Sequence, residues 1–175
     1  MILRIHSDAS YQSETDSRSP AGGHFLLGSN NHNDASKNNS AIHTTCEIIK
    51  NVMSAASEAE CGTTFINCKA AVPLRITLEE MGHAQPPTPV QIYNSTTEGI
   101  MNSTMQQKRS KAMDMRFYWV QDRTKQNHFK VFWKPGTTNL GGYHTKHHAP
   151  NHNCNVREHY IHCPGIPIQA SVRVC

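Results

Sequence analysis

Two acidic residues, Asp8 and Glu60, stand where a carboxylate could do chemistry. Asp8 follows a short apolar run and would lie at the tip of a strand, while Glu60 lies in a block that would open a helix, residues 54–60. Carboxylates are the hard oxygen ligands that Mg²⁺ prefers, and several must converge to hold an ion. Taken singly, each has a simpler interpretation, because aspartate favours turns and glutamate is ordinary on an exposed helix face. The secondary structure around these residues must decide between a metal site and the simpler interpretation.

Histidines toward the C-terminus offer a second possible metal site. The chain has 12 histidines, and His144 and His148 lie four residues apart. On a helix they would share one face, as two zinc ligands do, with His152 or Cys154 as a third ligand, although no glutamate follows His144. The alternative is a polar helix end whose protonated histidines suit the helix dipole. Both interpretations stay open.

Length and composition favour a single domain of an intracellular protein. The chain has 175 residues and a net charge of +4, a mild basic excess that is compatible with nucleic acid without requiring it. No apolar run approaches the roughly 20 residues of a membrane span, and residues 1–5 are too short for a signal peptide. Six cysteines without a CxxC pair are expected to be reduced. We therefore expect an intracellular protein, cytoplasmic or nuclear, that is neither secreted nor bound to a membrane.

Hydrophobic periodicity and turn residues predict the elements that would position these groups. Strands are predicted at residues 2–7, 21–28, 41–52, 90–93 and 128–133, and helices at 54–72, 74–81, 96–102, 111–122 and 139–147. Pro73 should end or kink the first helix. Three strands in succession indicate antiparallel pairing, and the later alternation of strands with helices indicates parallel pairing. The predicted fold is α/β, a five-stranded mixed sheet with helices on both faces, over residues 1–148, followed by a loose or disordered tail at 149–175.

Several stretches, taken in order, resemble the ribonuclease H domain of copia-type retrotransposon polyproteins. They are residues 6–11 (HSDASY), 54–60, 111–119 (KAMDMRFYW) and 133–148 (WKPGTTNLGGYHTKHH), and the resemblance spans about residues 5–152. Each motif is weak alone, and their order is what makes the set specific. The resemblance implies a ribonuclease H-like fold. It also implies a two-metal endonuclease, dependent on Mg²⁺ or Mn²⁺, that cuts the RNA of RNA–DNA hybrids.

The resemblance also implies that the active site is degenerate. Asp8 and Glu60 match two of the family's four metal-binding carboxylates. Tyr93, directly before Asn94, and Gly142 stand where the family has aspartates. A phenol with a pKa near 10 is a poor magnesium ligand, and glycine has no side chain. We expect Asp8 and Glu60 to bind metal weakly, so that the hydrolase is inactive or weak.

The partner implied by the resemblance is an RNA–DNA hybrid or another nucleic acid, with no small-molecule cofactor. Proteins read such helices through shape, phosphates and 2′-hydroxyls. The candidates for backbone contact are Asn94, Ser95, Lys111 and Arg116. The last two belong to a basic stretch between residues 108 and 134, for which a solvated helix face is the alternative interpretation.

Three functions remain open on the sequence. The first is an impaired ribonuclease H-like hydrolase, the second a non-catalytic nucleic-acid-binding module, and the third an unselected retroelement relic. The chain opens almost at the first strand, so we expect the reverse transcriptase region of the parent polyprotein to be absent. An intact enzyme should lose magnesium-dependent cleavage on Asp8→Asn, whereas a binder should show salt-sensitive affinity that this change leaves alone.

Overall fold

A computed structural model describes residues 1–28, 40–104, 114–136 and 139–161. The strands are β1 (Ile2–Ala9), β2 (Pro20–Gly28), β3 (His43–Ile48), β4 (Thr88–Ile92) and β5 (Phe129–Trp133). The α-helices are α1 (Ala56–Glu80), α2 (Ser95–Met101), α3 (Asp114–Lys125) and α4 (Pro150–Tyr160), with single 3-10 turns at Thr15–Ser17 and Leu140–His144. No helix in these ranges is both long enough and apolar enough to cross a membrane.

The five strands form one mixed sheet in the order β3-β2-β1-β4-β5. β1 pairs antiparallel with β2, Asp8 lying opposite Gly22, and β2 pairs antiparallel with β3. β1 pairs parallel with β4, and β4 with β5. The predicted mixed sheet is therefore confirmed, with β1 at its centre and Asp8 near the end of that central strand.

Both faces of the sheet are covered, as two neighbouring glycines of β2 show. A β-carbon on Gly22 would lie 2.6 Å from the carbonyl oxygen of Gly141, and one on Gly23 would overlap the Asn67 side chain of α1. Successive residues of a strand point to opposite faces, so the 3-10 turn at Leu140–His144 covers one face and α1 the other. The main apolar core lies on the α1 face. Its largest fully buried side chains include Phe25, Phe129, Leu3, Ile5 and Ile92.

Helix α1 runs through Pro73, so the predicted separate helix at 74–81 is wrong: the structure has one helix over Ala56–Glu80. Proline removes one backbone donor, but burial of one helix face and side-chain bonds further along can outweigh that cost. The Thr77 hydroxyl donates to the Pro73 carbonyl at 3.0 Å. Two residues after Pro73, Arg75 donates to the carbonyl oxygen of Pro86 at 2.8 Å and to the Thr88 hydroxyl at 2.5 Å.

Replacing Arg75 by methionine should lower the free energy of unfolding by about 2 kcal/mol. The side chain is buried, and its loss leaves the Pro86 carbonyl and the Thr88 hydroxyl without a charged donor. Urea unfolding followed by circular dichroism measures the change. Lys69→Met, on the exposed side of the same helix, is the matched control and should cost less than about 0.5 kcal/mol. An equal loss of stability in both variants would show that the hydrogen bonds of Arg75 do not stabilise the fold.

The C-terminal part differs from the prediction in two ways. The expected helix at 139–147 is only a 3-10 turn: Asn139 caps its start by accepting the Gly141 amide, and the two glycines that follow Leu140 disfavour a regular α-helix. The expected loose chain is wrong over residues 150–160, which form α4. Pro150 opens α4 where its missing N–H costs nothing, and the Tyr160 hydroxyl donates to the Leu140 carbonyl at 2.5 Å. The rest of the predicted tail, from residue 162, lies outside the described residues.

Candidate active site

Asp8 lies one residue before the end of β1, and its carboxylate is already bound by two residues of the chain. Its side chain is 1% exposed. The Thr145 hydroxyl donates a short hydrogen bond to Oδ2. The Lys146 ammonium lies 3.2 Å from Oδ2 and 3.4 Å from Oδ1. The backbone of Asp8 is paired with Gly22 of β2, and β1 also pairs with β4 two residues earlier, at His6.

Glu60 lies close to Asp8 because the start of α1 packs against β1. It is buried, and in the described part of the chain its Oε2 atom has no hydrogen-bond partner. Burial, helped by the negative charge of Asp8, raises the pKa of Glu60 to about 8, although the backbone of Ala9 and the charge of Lys146 act in the opposite direction. At neutral pH this side chain is therefore mostly a neutral acid.

Tyr93 follows β4 directly, with its side chain partly in solvent. Its ring centroid lies 5.2 Å from the Lys146 nitrogen, a cation–π distance. The ring also packs on Gly136, where a β-carbon would overlap it. Trp133 donates from Nε1 to the Tyr93 carbonyl at 3.0 Å, which fixes the chain at this point. The phenol thus lies beside the Asp8 site as a neutral group.

Gly142 lies in the 3-10 turn, directly beside Asp8. A β-carbon at this position would lie 3.7 Å from Asp8 Oδ2 and 3.3 Å from the Lys146 nitrogen. A carboxylate here would therefore reach the same point as Asp8. The structure brings Asp8, Glu60, Tyr93 and Gly142 together, and the ammonium of Lys146 lies among them.

This set of donors does not fit two divalent ions. Mg²⁺ needs several anionic oxygens in near-octahedral geometry, and the site offers only the carboxyl groups of Asp8 and Glu60. The ammonium of Lys146 contacts both oxygens of the Asp8 carboxylate. Among the described residues, no group of three or more His, Cys, Asp or Glu side chains is arranged to hold a metal. Glu58 cannot substitute, because its carboxylate accepts from the Ser54 amide and hydroxyl at 2.6 and 2.5 Å.

The predicted nucleic-acid contacts are dispersed. Asn94 caps α2, accepting the amides of Thr96 and Thr97 at 2.9 and 3.2 Å, and Ser95 is exposed beside it. Arg116 lies elsewhere, on α3, with its guanidinium carbon 5.9 Å from the Phe65 ring centroid. Lys111 lies outside the described residues. Of the three that the structure describes, Asn94 and Ser95 adjoin Tyr93 and Arg116 does not.

Sequence reasoning missed Thr145 and Lys146, which bind Asp8. The available signal was spacing: Lys146 follows Gly142 by four residues, a separation that returns a side chain to the same side of a helical turn. The histidines weighed as zinc ligands have other contacts. His148 lies 3.2 Å from the Gly142 carbonyl and stacks on His152, while His144 lies by His24.

A second feature that the sequence did not predict is a group of aromatic rings under α4, with the buried His24 at its centre. His24 on β2 is fully buried, and neither of its ring nitrogens has a hydrogen-bond partner in the described part of the chain. Its ring centroid lies 6.4 Å from that of His6, 6.3 Å from that of His144 and 4.9 Å from that of Tyr160. Burial, then the nearby His144 and His159, lowers the pKa of His24 to about 4. His24 is therefore neutral in the folded protein at neutral pH.

Acid should destabilise the fold through His24. Its pKa is lower in the folded state, about 4, than the 6.5 of the free side chain. Its contribution to stability is therefore complete above pH 6.5 and is lost as the pH falls toward 4, with a loss of about 2 kcal/mol at pH 5. Urea unfolding at pH 7 and pH 5 measures this loss. His24→Leu should show a smaller difference between the two pH values, and an unchanged difference would contradict the assignment.

Comparison with known proteins identifies the fold. No family model matches the sequence, and no curated protein is significantly similar to it in sequence. Among solved structures, the N-terminal RNase H domain of a Mycobacterium tuberculosis protein, solved as a fusion with maltose-binding protein, superposes with a TM-score of 0.57 at 14% identity, over 81% of this chain and 92% of that one. LC11-RNase H1, solved in complex with an RNA/DNA hybrid, superposes with a TM-score of 0.56 at 11% identity, over 79% of this chain and 88% of that one. A second structure of LC11-RNase H1, isolated from compost, superposes with a TM-score of 0.55 at 12% identity, over 82% of this chain and 91% of that one. The chain has the ribonuclease H-like fold, as predicted.

Proposed function

We propose that this ribonuclease H-like domain derives from a copia-type retrotransposon polyprotein and binds RNA–DNA hybrids without hydrolysing them efficiently. The observation that carries the proposal is the state of the site: Asp8 is bound by Thr145 and Lys146, while Tyr93 and Gly142 lie beside them, at the positions that the family resemblance gives to two further ligands. The ordered motifs of the sequence support the copia-type origin. Mg²⁺ or Mn²⁺, the cofactors of the ancestral reaction, would find at most a weak site at Asp8 and Glu60.

Hybrid binding is supported by fold and charge. A structure with this fold was solved in complex with an RNA/DNA hybrid. The present chain carries a net charge of +4, and Lys130 and Lys134 are exposed on and just after β5. Asn94 and Ser95, next to Tyr93, are the proposed contacts to the sugar–phosphate backbone beside the site. Such contacts attract a polyanion without reading its sequence.

The binding proposal is tested by fluorescence anisotropy with a labelled RNA–DNA hybrid at several salt concentrations. We expect affinity that falls steeply with salt, a preference for the hybrid over duplex DNA of the same sequence, and no loss of affinity on Asp8→Asn. A chain that folds but binds neither helix would contradict the proposal and favour a relic. Equal affinity for hybrid and DNA would contradict the hybrid as its partner.

A further inference from the structure

We propose that Lys146 is the phosphate-binding cation of this domain, and that its ammonium contacts a phosphodiester of the bound RNA strand directly, with no divalent ion between them. The inference rests on the proposed hybrid binding and adds the residue and the chemistry by which it occurs. It also predicts that hybrid binding does not depend on metal.

The position of the ammonium is the first argument. Its nitrogen lies 3.2 Å from Asp8 Oδ2 and 3.4 Å from Oδ1. It also lies 3.3 Å from the place of a β-carbon on Gly142 and 5.2 Å from the centroid of the Tyr93 ring. A single positive charge therefore lies among the side-chain positions where this fold would otherwise gather carboxylates.

Charge balance is the second argument. A cluster of carboxylates repels a phosphate unless cations lie between them. Here Lys146 matches the charge of Asp8, and Tyr93 and Gly142 add no carboxylate, so Glu60 is the one other carboxyl group among the four positions. An ammonium has three N–H donors. The two oxygens of Asp8 take at most two of them, so one donor remains for an oxygen of the phosphate.

Accessibility is the third argument. The side chain of Lys146 is 44% exposed, whereas that of Asp8 is 1% exposed. The positive member of the pair thus faces solvent and the negative member is buried beneath it. Tyr93 is 49% exposed beside the ammonium, and its ring offers an adjacent surface for a sugar or base. A polyanion that reaches this site meets the cation first.

The test compares two variants that differ only at Lys146, in a background where the buried carboxylate has been neutralised. Asp8→Asn is compared with Asp8→Asn/Lys146→Met, since Lys146→Met alone would leave a buried charge unpaired and risk unfolding. The affinity for a labelled hybrid is measured by anisotropy across a salt series, in EDTA and in Mg²⁺ at matched ionic strength. Lys69→Met, nine residues beyond Glu60 on the exposed side of α1, is the control for loss of one positive charge.

We expect about a tenfold loss of affinity in the double variant relative to Asp8→Asn. The slope of log affinity against log salt should also become smaller by about one. The unmodified chain should bind equally in EDTA and in Mg²⁺, and Lys69→Met should lose far less than tenfold. Equal affinities of the two compared variants, or binding that requires Mg²⁺, would overturn this inference and leave the proposed hybrid binding standing. Absence of hybrid binding by the unmodified chain would overturn both.

Discussion

A Tyr93→Asp/Gly142→Asp variant should hydrolyse the RNA strand of a hybrid in Mg²⁺ faster than the unmodified chain by on the order of a thousandfold. Metal-ion stabilisation of a transition state is worth several kcal/mol, and each 1.36 kcal/mol is a factor of ten in rate. The backbone already suits the change at residue 142, because Gly142 does not have a positive φ. An aspartate there would point at Asp8, since its β-carbon would lie 3.7 Å from Asp8 Oδ2.

The Lys146 ammonium must move away from Asp8 before this increase in cleavage rate can appear, and its position allows that movement. Its nitrogen would be 3.3 Å from the new β-carbon, but it is the end of a long, flexible side chain that is 44% exposed. The rates are measured with a labelled hybrid under single-turnover conditions. The single variants Tyr93→Asp and Gly142→Asp are the controls, and each should recover far less than the pair because one ligand is still missing. A double variant that folds, binds the hybrid and stays inactive would show that the four positions do not form an ancestral metal site.

Lys146→Met should lower the free energy of unfolding by about 2–3 kcal/mol. Removing one partner of a fully buried ion pair costs about 3–5 kcal/mol because the other charge is left uncompensated, and the partial exposure of Lys146 reduces that cost. Thr145 would still donate to Asp8, but a neutral hydroxyl does not replace a cation. Urea unfolding at pH 7 measures the difference.

Neutralising both partners provides the matched control. Asp8→Asn/Lys146→Met removes the two charges together, so its stability should lie within about 1 kcal/mol of the unmodified protein. Lys146→Arg keeps the charge and should also stay close to it. A double variant as unstable as Lys146→Met would mean that packing of the lysine side chain, and not its charge beside Asp8, stabilises this region.

The sequence was sufficient to predict the sheet, because apolar alternation in β1 and turn glycines around β2 are local signals. The family resemblance grouped Asp8, Glu60, Tyr93 and Gly142, which lie far apart in the chain and close together in the structure. Their role as metal-binding positions stays a prediction. The length of α1 could not be predicted from Pro73, because the bonds of Arg75 to residues 86 and 88 are tertiary. Helix α4 has weak periodicity, and it depends on Tyr160 reaching Leu140.

The contacts of Lys146 could not be predicted for a different reason. A lysine in a polar, histidine-rich stretch is most simply a solvated charge. Its role follows from the 3-10 turn at Leu140–His144, which ends so that Thr145 and Lys146 both reach Asp8. The burial of His24 could not be predicted either, because strand alternation alone does not say that α4 covers that face of the sheet.

Cleavage of a labelled RNA–DNA hybrid by the unmodified chain, run beside Asp8→Asn in Mg²⁺ and in Mn²⁺, tests the central claim most directly. In the site described above a lysine contacts both oxygens of Asp8, and Tyr93 and Gly142 stand where the family resemblance predicts two aspartates. We therefore predict that both proteins bind the hybrid and that neither cuts it above the rate without protein. Metal-dependent cleavage by the unmodified chain that disappears in Asp8→Asn would contradict this account, and would mean that Asp8 holds a working metal ion despite Lys146.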